Sequence, residues 1–124
     1  MIVVDSCGWL EYFSDSDRAR LYRPALEGSV RIIVPAICIL EVAKVLLRSR
    51  GREIALLCVT GMRIGQRVDL DEQLAIEAAN IAVQHRMPTA DSIILATAQR
   101  YGATVWTQDA DFEGKPGVKF FPKH

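Results

Sequence analysis

The stretch Met87–Phe112, MPTADSIILATAQRYGATVWTQDADF, sets the fold expectation. Thr89 to Tyr101 carries Ile93, Ile94, Ala96, Ala98 and Tyr101, a pattern for a mostly buried helix. Tyr101-Gly102 supplies the stop, since glycine readily takes the left-handed conformation that ends helices. Ala103 to Trp106 then reads as a short buried strand, and Thr107, Gln108, Asp109 and Asp111 follow it. A buried helix feeding a strand with acids just past its carboxyl end is half of a repeating strand–helix unit.

The other half of the pattern lies upstream. Ile2 to Val4 and Val30 to Val34 read as buried strands, the second closed by Pro35. Arg67 to Leu70 suggests a short strand, and Val118 to Phe121 another, bounded by Pro116-Gly117 and Pro122. Helices are expected over 6–13, 17–27, 36–50, 53–64 and 71–85. Ser16 is the candidate cap of the second, Pro24 its kink or break, and Leu74, Ala78, Ile81 and Ala82 form one face of the last. Helices 36–50 and 53–64 meet at Gly51 and predict an antiparallel hairpin. The strands lack clean polar alternation, as strands covered on both faces do. Strand–helix alternation predicts an α/β fold with a parallel sheet between helical layers. The length, 124 residues, predicts one domain over 1–124.

Composition narrows the function classes. Fifteen basic and fifteen acidic side chains give a formal charge of zero, which argues against a bulk polycation and against a disordered acidic chain. No basic leader precedes a long apolar run and no apolar run approaches ~18 residues, so neither a signal peptide nor a membrane span is expected and the location predicted is cytoplasmic. Cys7, Cys38 and Cys58 are odd in number and scattered, which predicts buried free thiols rather than a disulfide framework or zinc site. His85 and His124 are not placed to act as general bases.

Four acids stand where apolar neighbours predict none: Asp5 after the first strand, Glu41 in AICILEVAKVLL, Asp91 in PTADSIILATA, and Asp109 after the strand at 103–106. Each has an ordinary explanation. Asp5 could cap a helix, Glu41 could pair with Lys44 and Arg48, Asp91 suits the first turn of a helix, and Asp109 and Asp111 could be loop residues. Together the four are harder to dismiss, because ligands in α/β folds bind beyond the carboxyl ends of the strands. Carboxylates ~5 Å apart repel by roughly 3 kcal/mol per pair at an effective dielectric near 20. Such a cluster raises its own pKa values or takes up hard divalent cations, Mg²⁺ or Mn²⁺.

Three segments carry a family resemblance: VVDSCGWLEYF, VPAICILEVAKVLL and MPTADSIILATAQRYGATVWTQDADF. In order and spacing they resemble PIN-domain proteins, and specifically the VapC toxins of prokaryotic VapBC toxin–antitoxin pairs, over nearly the whole chain. The resemblance implies a three-layer α/β/α sandwich with a parallel sheet of four to five strands in order 3-2-1-4-5. It also implies a Mg²⁺- or Mn²⁺-dependent endoribonuclease that cleaves RNA phosphodiesters by metal-activated water. Asp5, Glu41, Asp91 and Asp109 match the family's acidic quartet. Of these, Asp5, Asp91 and Asp109 would hold the metal, with Glu41 completing the site or orienting a water. Ser6 and Thr107 match supporting hydroxyls, and Asp111 matches an often acidic neighbour.

The hairpin adds a surface. Positions 44–67 carry Lys44, Arg48, Arg50, Arg52, Arg63 and Arg67 against Glu53 alone, a net +5. Lys44, Arg48, Arg50 and Arg52 are the candidate RNA- or antitoxin-facing residues. The apolar residues Val45, Leu46, Ile54, Leu57 and Met62 exceed what one helix face buries and predict a dimer or partner interface. The resemblance implies both a homodimer and a cognate VapB-type antitoxin. Rival readings are a PIN nuclease of RNA maturation without an antitoxin, an aspartyl phosphatase or phospho-receiver using Asp5, and a non-catalytic RNA-binding module. The sequence Asp5-Ser6-Cys7 lacks the second acid of the phosphatase pattern, and no glycine-rich phosphate loop occurs.

Overall fold

The computed structural model describes residues 1–123; His124 lies outside the described residues. Five strands, β1 (Ile2–Val4), β2 (Ile32–Pro35), β3 (Gln66–Val68), β4 (Thr104–Thr107) and β5 (Val118–Phe120), form one sheet in the order β3-β2-β1-β4-β5. Every pairing is parallel. The helices are α1 (Ser6–Ser14), α2 (Ala19–Leu26), α3 (Ala36–Ser49), α4 (Arg52–Gly61), α5 (Glu72–His85) and α6 (Thr89–Tyr101), with 3₁₀ turns at Met62–Ile64 and Ala110–Phe112. This is an α/β fold with a parallel sheet flanked by helices, in the expected strand order.

The central strands explain the order. All of β1 and β2 is buried, so each must be covered on both faces by helices. β1 lies between β2 and β4, with Val4 opposite Trp106. The two acid-bearing strand ends are therefore neighbours. The helix α6 is buried continuously from Asp91 to Ala98 and ends at Gly102, whose φ is +62°. Trp9, Tyr22, Ile33, Leu74, Ile94 and Phe112 anchor the core.

Several local expectations shift. β2 starts at Ile32 and takes in Pro35, because Val30 is 47% exposed and the pairing runs to Pro35 opposite Val68. Ser16 does not cap α2; its hydroxyl donates to Glu11 Oε1 at 2.7 Å, and the cap position is Arg18. Pro24 sits inside α2 without breaking it, since Ala19, Tyr22, Ala25 and Leu26 bury one face against the core. The helical hairpin forms, but Leu46 and Met62 are buried in the core rather than left for a partner, whereas Val45, Ile54 and Leu57 are exposed. The cysteines are free, yet Cys38 alone is fully buried; Cys7 and Cys58 are half-buried. Among the described residues, no helix is long and apolar enough to cross a membrane.

Candidate metal centre

Asp5 is delivered by β1 pairing. Its amide donates to the Trp106 carbonyl at 3.0 Å, extending the β1–β4 ladder one residue past β1. Asp5 is 2% exposed. Its Oδ1 accepts from the Ser6 amide at 2.8 Å, so Asp5 does cap α1 as one reading of the sequence allowed. Its Oδ2 accepts from Thr107 Oγ1 at 2.7 Å, and that hydroxyl in turn accepts from the Asp109 amide at 2.9 Å. Thr107 thus ties the two acidic strand ends together. Burial pushes the Asp5 carboxyl above its ordinary pKa, against the pull of the Thr107 and Ser6 hydrogen bonds.

Asp91, Asp109 and Asp111 form the tightest group, with one carboxylate oxygen from each within 4.8 Å of the others. Asp91 reaches it from the first turn of α6, Asp109 from the end of β4, and Asp111 from the 3₁₀ turn, where its amide donates to Asp109 Oδ1 at 3.0 Å. Burial pushes the pKa of Asp91 up to about 8, and the charges of Asp109, Asp5, Asp111 and Glu41 add to the rise. Asp91 therefore feels the charge of the other four acids.

Glu41 is half-buried in α3, and its Oε1 is buried with no hydrogen-bond partner among the described residues. Burial raises its pKa, and the charges of Asp5 and Asp109 raise it further, while the polar Ser6 side chain nearby opposes them. The alternative of an ion pair with Lys44 or Arg48 does not materialise among the described residues. A buried carboxylate oxygen without a donor is costly, which sets this acid apart from a solvated surface residue.

The geometry separates the expected set into parts. Asp91, Asp109 and Asp111 converge directly; Asp5 stands beside them, held by Thr107 and Ser6; Glu41 completes the electrostatic cluster. Lys44, Arg48, Arg50 and Arg52 are exposed on the hairpin, and Arg50 lines a groove of about 390 Å³ with Leu10, Phe13, Val45, Ile54 and Cys58.

Two neighbours escaped sequence reasoning. Cys7 places Sγ 3.5 Å from both Asp5 Oδ2 and Thr107 Oγ1. Burial, then the Asp5 charge, pushes its thiol to about 12, so it stays protonated at neutral pH. Gln108 is 5% exposed between Thr107 and Asp109. Its Oε1 accepts from Arg18 Nε at 2.6 Å and Tyr22 Oη at 3.3 Å, and its Nε2 donates to Glu11 Oε2 at 2.7 Å. Burial works against ionisation of Glu11, but the Gln108 and Ser16 hydrogen bonds and the Arg18 charge hold its pKa below the ordinary value. The only sequence signal was adjacency: Cys7 follows Asp5 by two residues, and Gln108 precedes Asp109.

Comparisons with known proteins agree with this architecture. No curated protein sequence matches the chain. Among solved structures, the chain is similar to VapC20 of Mycobacterium tuberculosis, described as a sarcin–ricin-loop-cleaving toxin, with a TM-score of 0.82 and 18% identity over 98% of this chain and 100% of that one. A toxin–antitoxin complex from Klebsiella pneumoniae gives 0.81 and 18% over 99% and 100%, and DNA-bound VapBC from Salmonella typhimurium 0.74 and 19% over 98% and 96%. The PIN domain family model matches residues 2–117. A match that spans both acidic strand ends and the helices carrying Glu41 and Asp91 leaves one assignment: the chain belongs to the PIN domain family.

Proposed function

We propose that residues 1–124 act as one PIN domain, a Mg²⁺- or Mn²⁺-dependent endoribonuclease serving as the toxin of a type II toxin–antitoxin pair. The observation that carries the nuclease reading is the convergence of Asp91, Asp109 and Asp111 beyond the carboxyl ends of β1 and β4, where Asp5 and Glu41 add their charge and Asp91 is pushed up to about 8. The donor set fits a hard cation. It consists of carboxylate oxygens, and the nearby Cys7 thiol remains protonated and is a poor ligand. The unpartnered Glu41 Oε1 is the further sign of a cluster built for a positive charge.

Asp91 and Asp109 would hold the ion with Asp5 beside them, and Asp111 is near enough to bind it directly or through water. A bound divalent ion supplies Lewis-acid polarisation of a phosphoryl oxygen and lowers the pKa of water at neutral pH. The chain's own groups do the rest. Thr107 and Ser6 orient the Asp5 carboxylate and favour its ionised form against burial, through hydrogen bonds of 2.7 and 2.8 Å. Glu41, with its raised pKa, is suited to take a proton from an attacking water.

The structural neighbours support the toxin reading, because their described contexts are VapBC and toxin–antitoxin complexes. On that reading the partners are an RNA substrate and a VapB-type antitoxin, in the cytoplasm. Exposed Leu40, Val45, Leu47, Ile54, Leu56 and Leu57 on the hairpin support an antitoxin seat or a homodimer. The test is cleavage of a defined RNA panel with Mg²⁺, Mn²⁺ or EDTA, wild type beside Asp5→Asn. The expected result is a cut that EDTA and Asp5→Asn both abolish while the circular dichroism spectrum is unchanged. Cleavage by Asp5→Asn at the wild-type rate would refute the nuclease assignment.

A further inference from the structure

A cleft of about 460 Å³ opens directly beside the carboxylates and shares Asp109 with them. That volume is within the ~300–1,000 Å³ of small-molecule sites. Its walls are apolar at Ala110, Phe120 and Pro122, and Lys123 contributes an ammonium. Gln108 also lines it, but its amide oxygen already accepts from Arg18 and Tyr22, and its amide nitrogen is tied by one N–H to Glu11. Arg18 also donates through Nη2 to the Phe121 carbonyl at 3.2 Å, so the same side chain fastens the Gln108 floor to the segment carrying Pro122 and Lys123. The cleft is therefore preorganised, with one aromatic side chain, one cation, and a Gln108 side chain held by protein partners.

We infer that this cleft, on the ribonuclease reading above, seats the nucleotide adjoining the scissile phosphate and accepts all four bases alike. The geometry supplies both halves. A base laid on Phe120 and Pro122 is held by stacking, which every base offers. Lys123 meets the outer phosphate, while Asp109 keeps the other side of the nucleotide next to the carboxylate group. Glu113 on the exposed lip repels a phosphate there and favours the Lys123 side. Reading a base edge with an amide needs its free donor and acceptor side by side. The Gln108 oxygen is doubly occupied and its nitrogen tied to Glu11, so it cannot present that pair, and the Cys7 thiol faces Asp5 and Thr107. Sequence preference in cleavage must then arise outside this cleft.

The experiment uses the full chain. Adenosine, guanosine, cytidine and uridine 5′-monophosphates are titrated in EDTA and followed by ¹⁵N amide shifts. RNA cleavage is measured in Mn²⁺ for wild type, Lys123→Glu and Phe120→Leu. Phe120→Leu keeps an apolar side chain in the half-buried site but removes the flat ring, so lost stacking is separable from misfolding; Lys123 is exposed. Expected are shifts confined to 108–123, affinities within about threefold for the four nucleotides, and a KM raised roughly tenfold in each variant with kcat within about threefold. Shifts elsewhere or none, a preference above about tenfold for one base, or wild-type KM in both variants overturns the proposal. Cleavage that depends on Asp5 but not on Lys123 or Phe120 removes the subsite and leaves the nuclease. Nucleotide shifts in the cleft without Asp5-dependent cleavage do the reverse.

Discussion

Asp91→Asn is expected to raise the stability of the metal-free protein and to remove its response to metal. In an unfolded chain this carboxyl ionises near 3.8; in the folded protein it does so near 8. Between those values the folded state holds more protons than the unfolded state, so wild-type stability falls as pH rises from about 4 to about 8 and is level above. At about 1.4 kcal/mol per pH unit, the separation sets an upper bound of about 6 kcal/mol. A Coulomb estimate has the same size: oxygens within 4.8 Å repel by about 3.5 kcal/mol per pair at an effective dielectric near 20. Asp111 is exposed, so water and salt screen part of this, leaving about 2–3 kcal/mol for the amide to recover. For a chain of this length that is about 6–12 °C in melting temperature. The assay is thermal unfolding of both proteins in EDTA at pH 5 and pH 8.5, then with Mn²⁺. The variant should melt above wild type by a margin that widens with pH. Mn²⁺ at about a hundred times its dissociation constant should stabilise wild type by about 2.7 kcal/mol and the variant by far less. A margin that shrinks with pH, or equal metal responses, would refute a mutually repelling, cation-seeking cluster.

Other perturbations test its supports. Thr107→Val removes the donor to Asp5 Oδ2 and the acceptor for the Asp109 amide, so it should cost about 1–3 kcal/mol in urea unfolding at pH 7 and raise the Asp5 pKa further, read by carboxyl NMR titration. Glu41→Gln replaces an acid whose Oε1 has no partner, so Mn²⁺ affinity by calorimetry should fall roughly tenfold while metal-free stability holds or rises. Gly8→Ala places a Cβ 2.5 Å from Tyr22 Cε1 and 2.7 Å from Val4 Cγ1, both in fully buried residues. Overpacking there should lower stability by about 1–3 kcal/mol, measured as a lower urea midpoint.

The fold was legible because each part rests on local pattern. Continuous apolar runs at 2–4 and 32–34 announce strands buried on both faces, and the Gly102 stop marks where α6 ends. Helix caps were readable where chain-adjacent atoms decide them, as at Asp5 before α1. Ser16 misled because Glu11, five positions back, takes its hydroxyl instead. The hairpin misled for a related reason. Leu46, Leu57 and Met62 are alike in chemistry, and their burial depends on which helix face meets the sheet.

By itself, the sequence determined that acids end two strands and interrupt two apolar helical stretches, because each position is a local departure from an apolar pattern. It also determined the alternation from which a parallel sheet follows. Only the tertiary structure decided that β1 and β4 are neighbours, so that Thr107 bridges Asp5 and Asp109 across more than a hundred positions of chain. It alone drew Asp111 into the closest carboxylate group, left Glu41 Oε1 without a partner, and spent the polar atoms of Gln108 on Arg18, Tyr22 and Glu11. The physical reason is range. Propensity and periodicity act over a few residues, whereas carboxylate repulsion, desolvation and shared hydrogen bonds act between segments that only the crossover connections bring into contact.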